Sequence, residues 1–134
     1  MTWIYSCTGC GSVVNPGGQM VVLVGLFGGA QMLLGFSPEP GDYTLYLPPG
    51  AELEHGETWT FHCPVCHGSL VSELNENLCA LDLDDDGVKK RVLFSRIAGE
   101  HATFVISGET EAIAHGDDAD EYEDTITMEV EKVR

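Results

Sequence analysis

The chain has 134 residues, enough for one domain, and 43% of them are hydrophobic, which excludes wholesale disorder. Six Lys and Arg face 22 Asp and Glu, and the net charge of -16 argues against gripping phosphate backbones or docking on anionic membranes. The charge is unevenly spread: residues 1–38 contain no Asp, Glu, Lys or Arg, and the first charged side chain is Glu39.

From the N-terminus, Trp3 and Tyr5 alternate with period two, as one face of a strand should, and lead into Cys7-Thr8-Gly9-Cys10. Residues 15–18 (Asn-Pro-Gly-Gly) form a turn. Residues 20–36 are apolar, but the run is 17 residues long, carries four glycines and Gln31, and lacks a basic flank. A spanning helix wants about 20 apolar residues and Lys or Arg anchors. The run therefore reads as two strands, 20–27 and 31–36, divided at Gly28-Gly29. A loop follows at 37–42, then a strand at 43–47 stopped by Pro48-Pro49-Gly50, then a loop over 51–57. Trp59 and Phe61 repeat the aromatic alternation before Cys63-Pro64-Val65-Cys66. Farther on, 78–83 and 88–95 flank Asp86-Gly87 as a hairpin. Residues 101–106 read as a strand, 108–116 as a short helix, 117–124 as a solvated acidic loop, and 125–133 as an alternating strand. The expectation is one mostly β domain over 1–134. It has paired cysteine knuckles at 2–14 and 58–71, an uncharged-to-acidic β insertion at 15–57, and a hairpin and acidic C-terminal part at 72–134.

The five cysteines carry the chemistry. Cys79 has apolar neighbours and reads as a small buried thiol. The other four form two Cys-x2-Cys pairs. No basic n-region or small-residue cleavage site marks an export peptide, so the expected compartment is cytoplasmic and reducing, where structural disulfides are disfavoured. Paired Cys-x2-Cys units in that setting read as a metal site. Two thiolates from one tight turn and two from another complete the tetrahedron that zinc accepts. The 52 residues between the pairs exceed the usual separation, but a longer loop adds little closure entropy. The surroundings of the pairs also match. Thr2-Trp3-Ile4-Tyr5-Ser6-Cys7 and Thr58-Trp59-Thr60-Phe61-His62-Cys63 share Thr-Trp-x-aromatic-x-Cys. Gly11-Ser12-Val13-Val14 and Gly68-Ser69-Leu70-Val71 follow, with His67 as an extra residue in the second copy. Two such copies about a pseudo-two-fold axis would surround one ion with four sulfurs.

Over about residues 2–14 and 58–71 the chain resembles the zinc-ribbon superfamily, with Cys10-Gly11 and Cys63-Pro64 similar to its knuckle forms Cys-x2-Cys-Gly and Cys-Pro-x-Cys. The resemblance implies a zinc ribbon elaborated with additional antiparallel strands and hairpins, with Cys7, Cys10, Cys63 and Cys66 as ligands of a Zn2+ ion. Four cysteine ligands leave no open position for water, so hydrolytic zinc chemistry is not expected. The same knuckle forms occur in rubredoxins, so an Fe electron carrier is the alternative. Residues 63–67 also match the Cys-x-x-Cys-His haem motif, a reading that leaves Cys7 and Cys10 unexplained. Residues 82–87 begin like a calcium loop, but Leu93 stands where the bidentate Glu belongs. His62 and His67 flank the second knuckle as outer or surface groups. No nucleophile–base constellation stands out, which leaves an enzyme without support but open, and the reading leans to a protein-interaction or accessory module with a protein partner or self-association. Nucleic-acid binding, common among zinc ribbons, is opposed by the charge, and Lys89-Lys90-Arg91 sits beside an acidic run. The acidity would also suit a salt-rich cytoplasm.

Overall fold

The computed structural model describes residues 3–39, 41–51, 53–54, 56–72, 76–98, 100–107 and 111–122. Nine strands lie among them: β1 (Trp3–Ser6), β2 (Val21–Phe27), β3 (Ala30–Phe36), β4 (Leu45–Tyr46), β5 (Thr60–His62), β6 (Leu78–Asp85), β7 (Val88–Ser95), β8 (Thr103–Ser107) and β9 (Glu111–His115). They form a five-stranded sheet in the order β1-β6-β7-β8-β9 and a four-stranded sheet in the order β4-β3-β2-β5. Every strand pair is antiparallel. The mostly β expectation holds.

Turn chemistry sets the two long hairpins. Gly28 and Gly29 both have positive φ (56° and 92°), as a two-residue turn of the primed type requires, and β2 and β3 pair in register on either side. Asp86 and Gly87 do the same for β6 and β7, with φ of 51° and 95°, and the Gly87 amide donates to Asp84 Oδ1 at 2.7 Å. Residues 82–87 therefore form a hairpin end and not a calcium loop. Their carboxylates pair with the facing strand: Lys89 with Asp84 at 2.6 Å, Lys90 with Asp85 at 2.9 Å, and Arg91 with Asp82 at 3.2 Å. The basic cluster is thus held against acidic neighbours.

The five-stranded sheet buries both faces. On β6, Cys79, Leu81 and Leu83 point into the core between the sheets, where they meet Tyr5, Leu23, Leu34, Trp59, Phe61 and Val92. Leu78 and Ala80 point the other way, into a second core with Leu93, Phe104, Ile106, Ala119 and Tyr122. The period of two within one strand divides the two cores.

Three local expectations need correction. Residues 111–115 form strand β9 and not part of a helix. Ala112 and Ala114 suit a helix by propensity, but β8 offers an edge, and the ladder of Phe104 with Ala114, Val105 with Ile113 and Ile106 with Ala112 overrides a weak preference. The acidic loop is not wholly solvated: Ala119–Tyr122 makes a 3-10 turn whose Ala119 and Tyr122 are buried. The Tyr122 hydroxyl donates to Glu100, and the Asp118 carboxylate accepts from the His101 amide at 2.8 Å. The 101–106 strand begins only at Thr103. The expected strand at 125–133 lies outside the described residues. Residues 20–36 form β2 and β3, and no helix among the described residues is long and apolar enough to cross a membrane.

Candidate metal centre

The two knuckles hang from different sheets, the first on β1 and the second on β5. Strand β6 brings them together. Its C-terminal half pairs with β1, from Ser6 opposite Asp82 to Trp3 opposite Asp85. Its N-terminal half takes the chain returning from the second knuckle, through Ala80 N to Leu70 O (2.8 Å), Ser72 N to Leu78 O (2.7 Å) and a bridge of Val71 with Cys79. Both knuckles therefore abut one stretch of one strand.

Within each knuckle the same hydrogen bonds recur. The Cys7 amide donates to Ser12 O and the Cys63 amide to Gly68 O, both at 3.0 Å. Gly11 N donates to Cys7 O at 3.0 Å and His67 N to Cys63 O at 2.9 Å, and Val14 N to Tyr5 O and Leu70 N to Phe61 O are both 2.9 Å. Isolated bridges join Ser6 with Val13 and His62 with Ser69. Every equivalent pair is separated by the same number of residues. This corrects the alignment read from the sequence, in which His67 is an insertion. His67 is the structural counterpart of Gly11, and Gly68 that of Ser12. Both Gly11 (φ 76°) and His67 (φ 63°) occupy the left-handed position that closes the Cys-x2-Cys turn. The likeness of Gly-Ser-Val-Val to Gly-Ser-Leu-Val is one residue out of register with the fold.

The sulfurs converge. The ligand atoms of Cys7, Cys10, Cys63 and Cys66 all lie within 4.8 Å of one another. Across the knuckles, Cys7 Sγ is 3.8 Å from Cys66 Sγ, and Cys10 Sγ is 3.8 Å from Cys63 Sγ. A regular tetrahedron with metal–sulfur bonds of about 2.3 Å separates its sulfurs by about 3.8 Å. The cluster could therefore hold one metal ion, and it is the one such group among the described residues. Cys7 and Cys63 are buried, whereas Cys10 and Cys66 are exposed.

Backbone amides face the inner sulfurs in matching fashion. Gly9 N and Val65 N lie 3.3 Å from Cys7 Sγ and Cys63 Sγ, and Cys10 N and Cys66 N lie 3.5 Å from the same two atoms. Gly68 N approaches Cys66 Sγ at 3.4 Å. Such donors favour thiolate over thiol. Hydrogen bonds from the side chain and backbone of Ser12 hold the Cys10 thiol down to about 6. Cys66 goes the other way, to about 11: the Gly68 amide works to lower it, but partial desolvation and the neighbouring thiols of Cys10, Cys63 and Cys7 outweigh that.

Asn15, which the sequence marks only as a turn residue, supports the first knuckle. It is fully buried, its Oδ1 accepts from Tyr5 N at 2.7 Å, and its Nδ2 donates to Trp3 O at 2.7 Å and Gln19 O at 3.2 Å. A side-chain amide here stands in for a strand neighbour along β1. His62 and His67 stay outside the sulfur cluster, with His62 Nδ1 3.0 Å from His67 O. Cys79 is buried and apart from the four. Comparison of the chain with family models, with curated proteins and with solved structures finds no match.

Proposed function

We propose that the four-cysteine cluster binds a single structural Zn2+ in zinc-ribbon fashion, and that the chain is a non-enzymatic module that self-associates through its uncharged sheet. The observation that supports the metal reading most directly is the pair of 3.8 Å sulfur separations linking two knuckles with the same hydrogen bonds. All four positions are protein ligands, which suits a structural ion and leaves no site for an activated water.

The contact reading rests on the outer face of the four-stranded sheet. Val22, Leu26 and Leu33 project there with Tyr46 beside the buried Val24, and the Met20 sulfur lies against Gly35. Leu33 is 56% exposed and Tyr46 51%. The four strands themselves hold no Asp, Glu, Lys or Arg, and the charged side chain that reaches Thr60 on this face is a cation, Arg96, so two copies of a chain of net charge -16 can meet on it without carboxylates of these strands opposing one another.

Elemental analysis of the purified protein tests the first part, with one zinc per chain expected and C10S lowering metal occupancy. A coloured protein carrying one iron per chain would replace this reading with the rubredoxin-like one. Size-exclusion chromatography with light scattering tests the second part. A dimer abolished by L33E is expected, and a monomer at every concentration overturns it.

A further inference from the structure

A cavity of about 220 Å³ lies between the two sheets, lined by Leu23, Phe36 and Phe61 from one and by Tyr5, Leu81 and Val92 from the other. Residues 41–45 also line it, and there Tyr43 stacks on His101 with ring centroids 4.3 Å apart and an interplanar angle of 8°. An engineered cavity of about 150 Å³ with similar apolar walls stays dry and takes up benzene. This one is larger, and it is walled by aromatic rings and aliphatic side chains.

One polar group in that wall has no partner. Trp59 lines the cavity, is only 4% exposed, and its Nε1 is the one buried side-chain nitrogen or oxygen without a hydrogen bond among the described residues. Its ring is fixed in place: it stacks on Phe27 at 5.3 Å, and its backbone amide donates to Arg96 O at 2.9 Å. A rigid, desolvated N–H donor is expensive to leave unmatched, and sites built this way discriminate for a ligand that supplies the acceptor. Asp42 and Glu100 also line it, as does Arg96, whose guanidinium donates to Trp59 O at 3.2 Å and to Thr60 Oγ1 at 2.8 Å; the net charge of -16 disfavours anions.

We propose that this cavity binds a small neutral molecule, about one substituted ring in size, whose single carbonyl oxygen accepts the Trp59 indole N–H. The proposal is independent of the metal reading, because the binding surface contains none of the four clustered cysteines.

The test uses the full-length, metal-replete protein labelled with nitrogen-15. The chain has two Trp residues, and W3F assigns their indole N–H signals. Acetophenone should shift the Trp59 signal saturably. It should bind about tenfold more tightly than isopropylbenzene, which has the same number of heavy atoms and no acceptor. Benzoate should bind more weakly than acetophenone. W59F should abolish the preference for the ketone and leave isopropylbenzene binding in place. If W59F fails to fold, the wild-type comparison of ketone and hydrocarbon decides alone. Absence of a saturable Trp59 shift with acetophenone, or equal affinity for acetophenone and isopropylbenzene, overturns the proposal.

Discussion

His67 occupies a backbone conformation that its counterpart Gly11 adopts without strain. A side chain in the left-handed region costs roughly 1 kcal/mol. H67G should therefore raise the stability of the metal-bound protein by about 1 kcal/mol, and G11A should lower it by a similar amount, both read as shifts of the urea midpoint. Burial, slightly offset by the Phe61 backbone and the Arg96 charge, pushes the Cys79 thiol up to about 12. An unfolded cysteine ionises near 8.5. Above that pH the unfolded chain loses a proton that the folded chain keeps, so the stability contributed by the neutral buried thiol is full below about pH 8.5 and is lost as pH rises toward 12. Tyr5, raised by burial and by the nearby Asp85 charge, acts in the same direction. Urea midpoints should fall between pH 8.5 and 11, and C79A should flatten that slope. The roles of Asn15 and His67 were not legible in the sequence. One depends on three backbone groups outside its own turn, and the other on a register that a chance likeness of neighbouring residues obscures.

At the scale of elements, hairpins were readable because their signals are local. Gly28-Gly29 and Asp86-Gly87 carry the turn geometry in two residues, and apolar runs on either side supply the strands. The strand β9 was misread because its own composition argues weakly, and the edge of β8 decides it. Gly25 is a second case of hidden context. It lies within β2, where glycine is a poor strand former, yet a Cβ there would meet Leu34 Cδ1 at 2.5 Å and Trp59 Cε3 at 3.1 Å. G25A should destabilise the protein by about 1–3 kcal/mol through this overpacking. Combining it with L34A should give less than the sum of the two losses, because the smaller side chain makes room. Additive losses in denaturation experiments would refute the steric account.

For the whole molecule, the sulfur cluster joins two sheets that have unequal support. Among the described residues, the five-stranded sheet has a buried cluster on both faces, whereas the four-stranded sheet has one on a single face. A structural zinc contributes on the order of 10 kcal/mol where it binds. Chelation should thus loosen the molecule unevenly. Hydrogen exchange should accelerate at the amides of Cys7, Gly11, Cys63 and His67 and along β5, while the β6, β7 and β8 amides stay protected. Uniform loss of protection would mean that the ion holds the entire fold. The sequence made the four sulfurs legible, since each pair sits in a short repeated segment. It did not reveal that β6 gathers both knuckles, because the β1–β6 pairing links residues far apart in the chain, as Trp3 and Asp85 show.

That use of β6 as a common rail has a consequence for biosynthesis. Chains emerge from the ribosome N-terminus first, at about 5–20 residues per second. Cys7 and Cys10 are made several seconds before Cys63 and Cys66, and β6 follows later still. A truncated product that stops before Cys66 holds an incomplete coordination shell and lacks the rail that would align it. On the proposed metal reading, tight capture of an ion must therefore wait until both knuckles and β6 have been made.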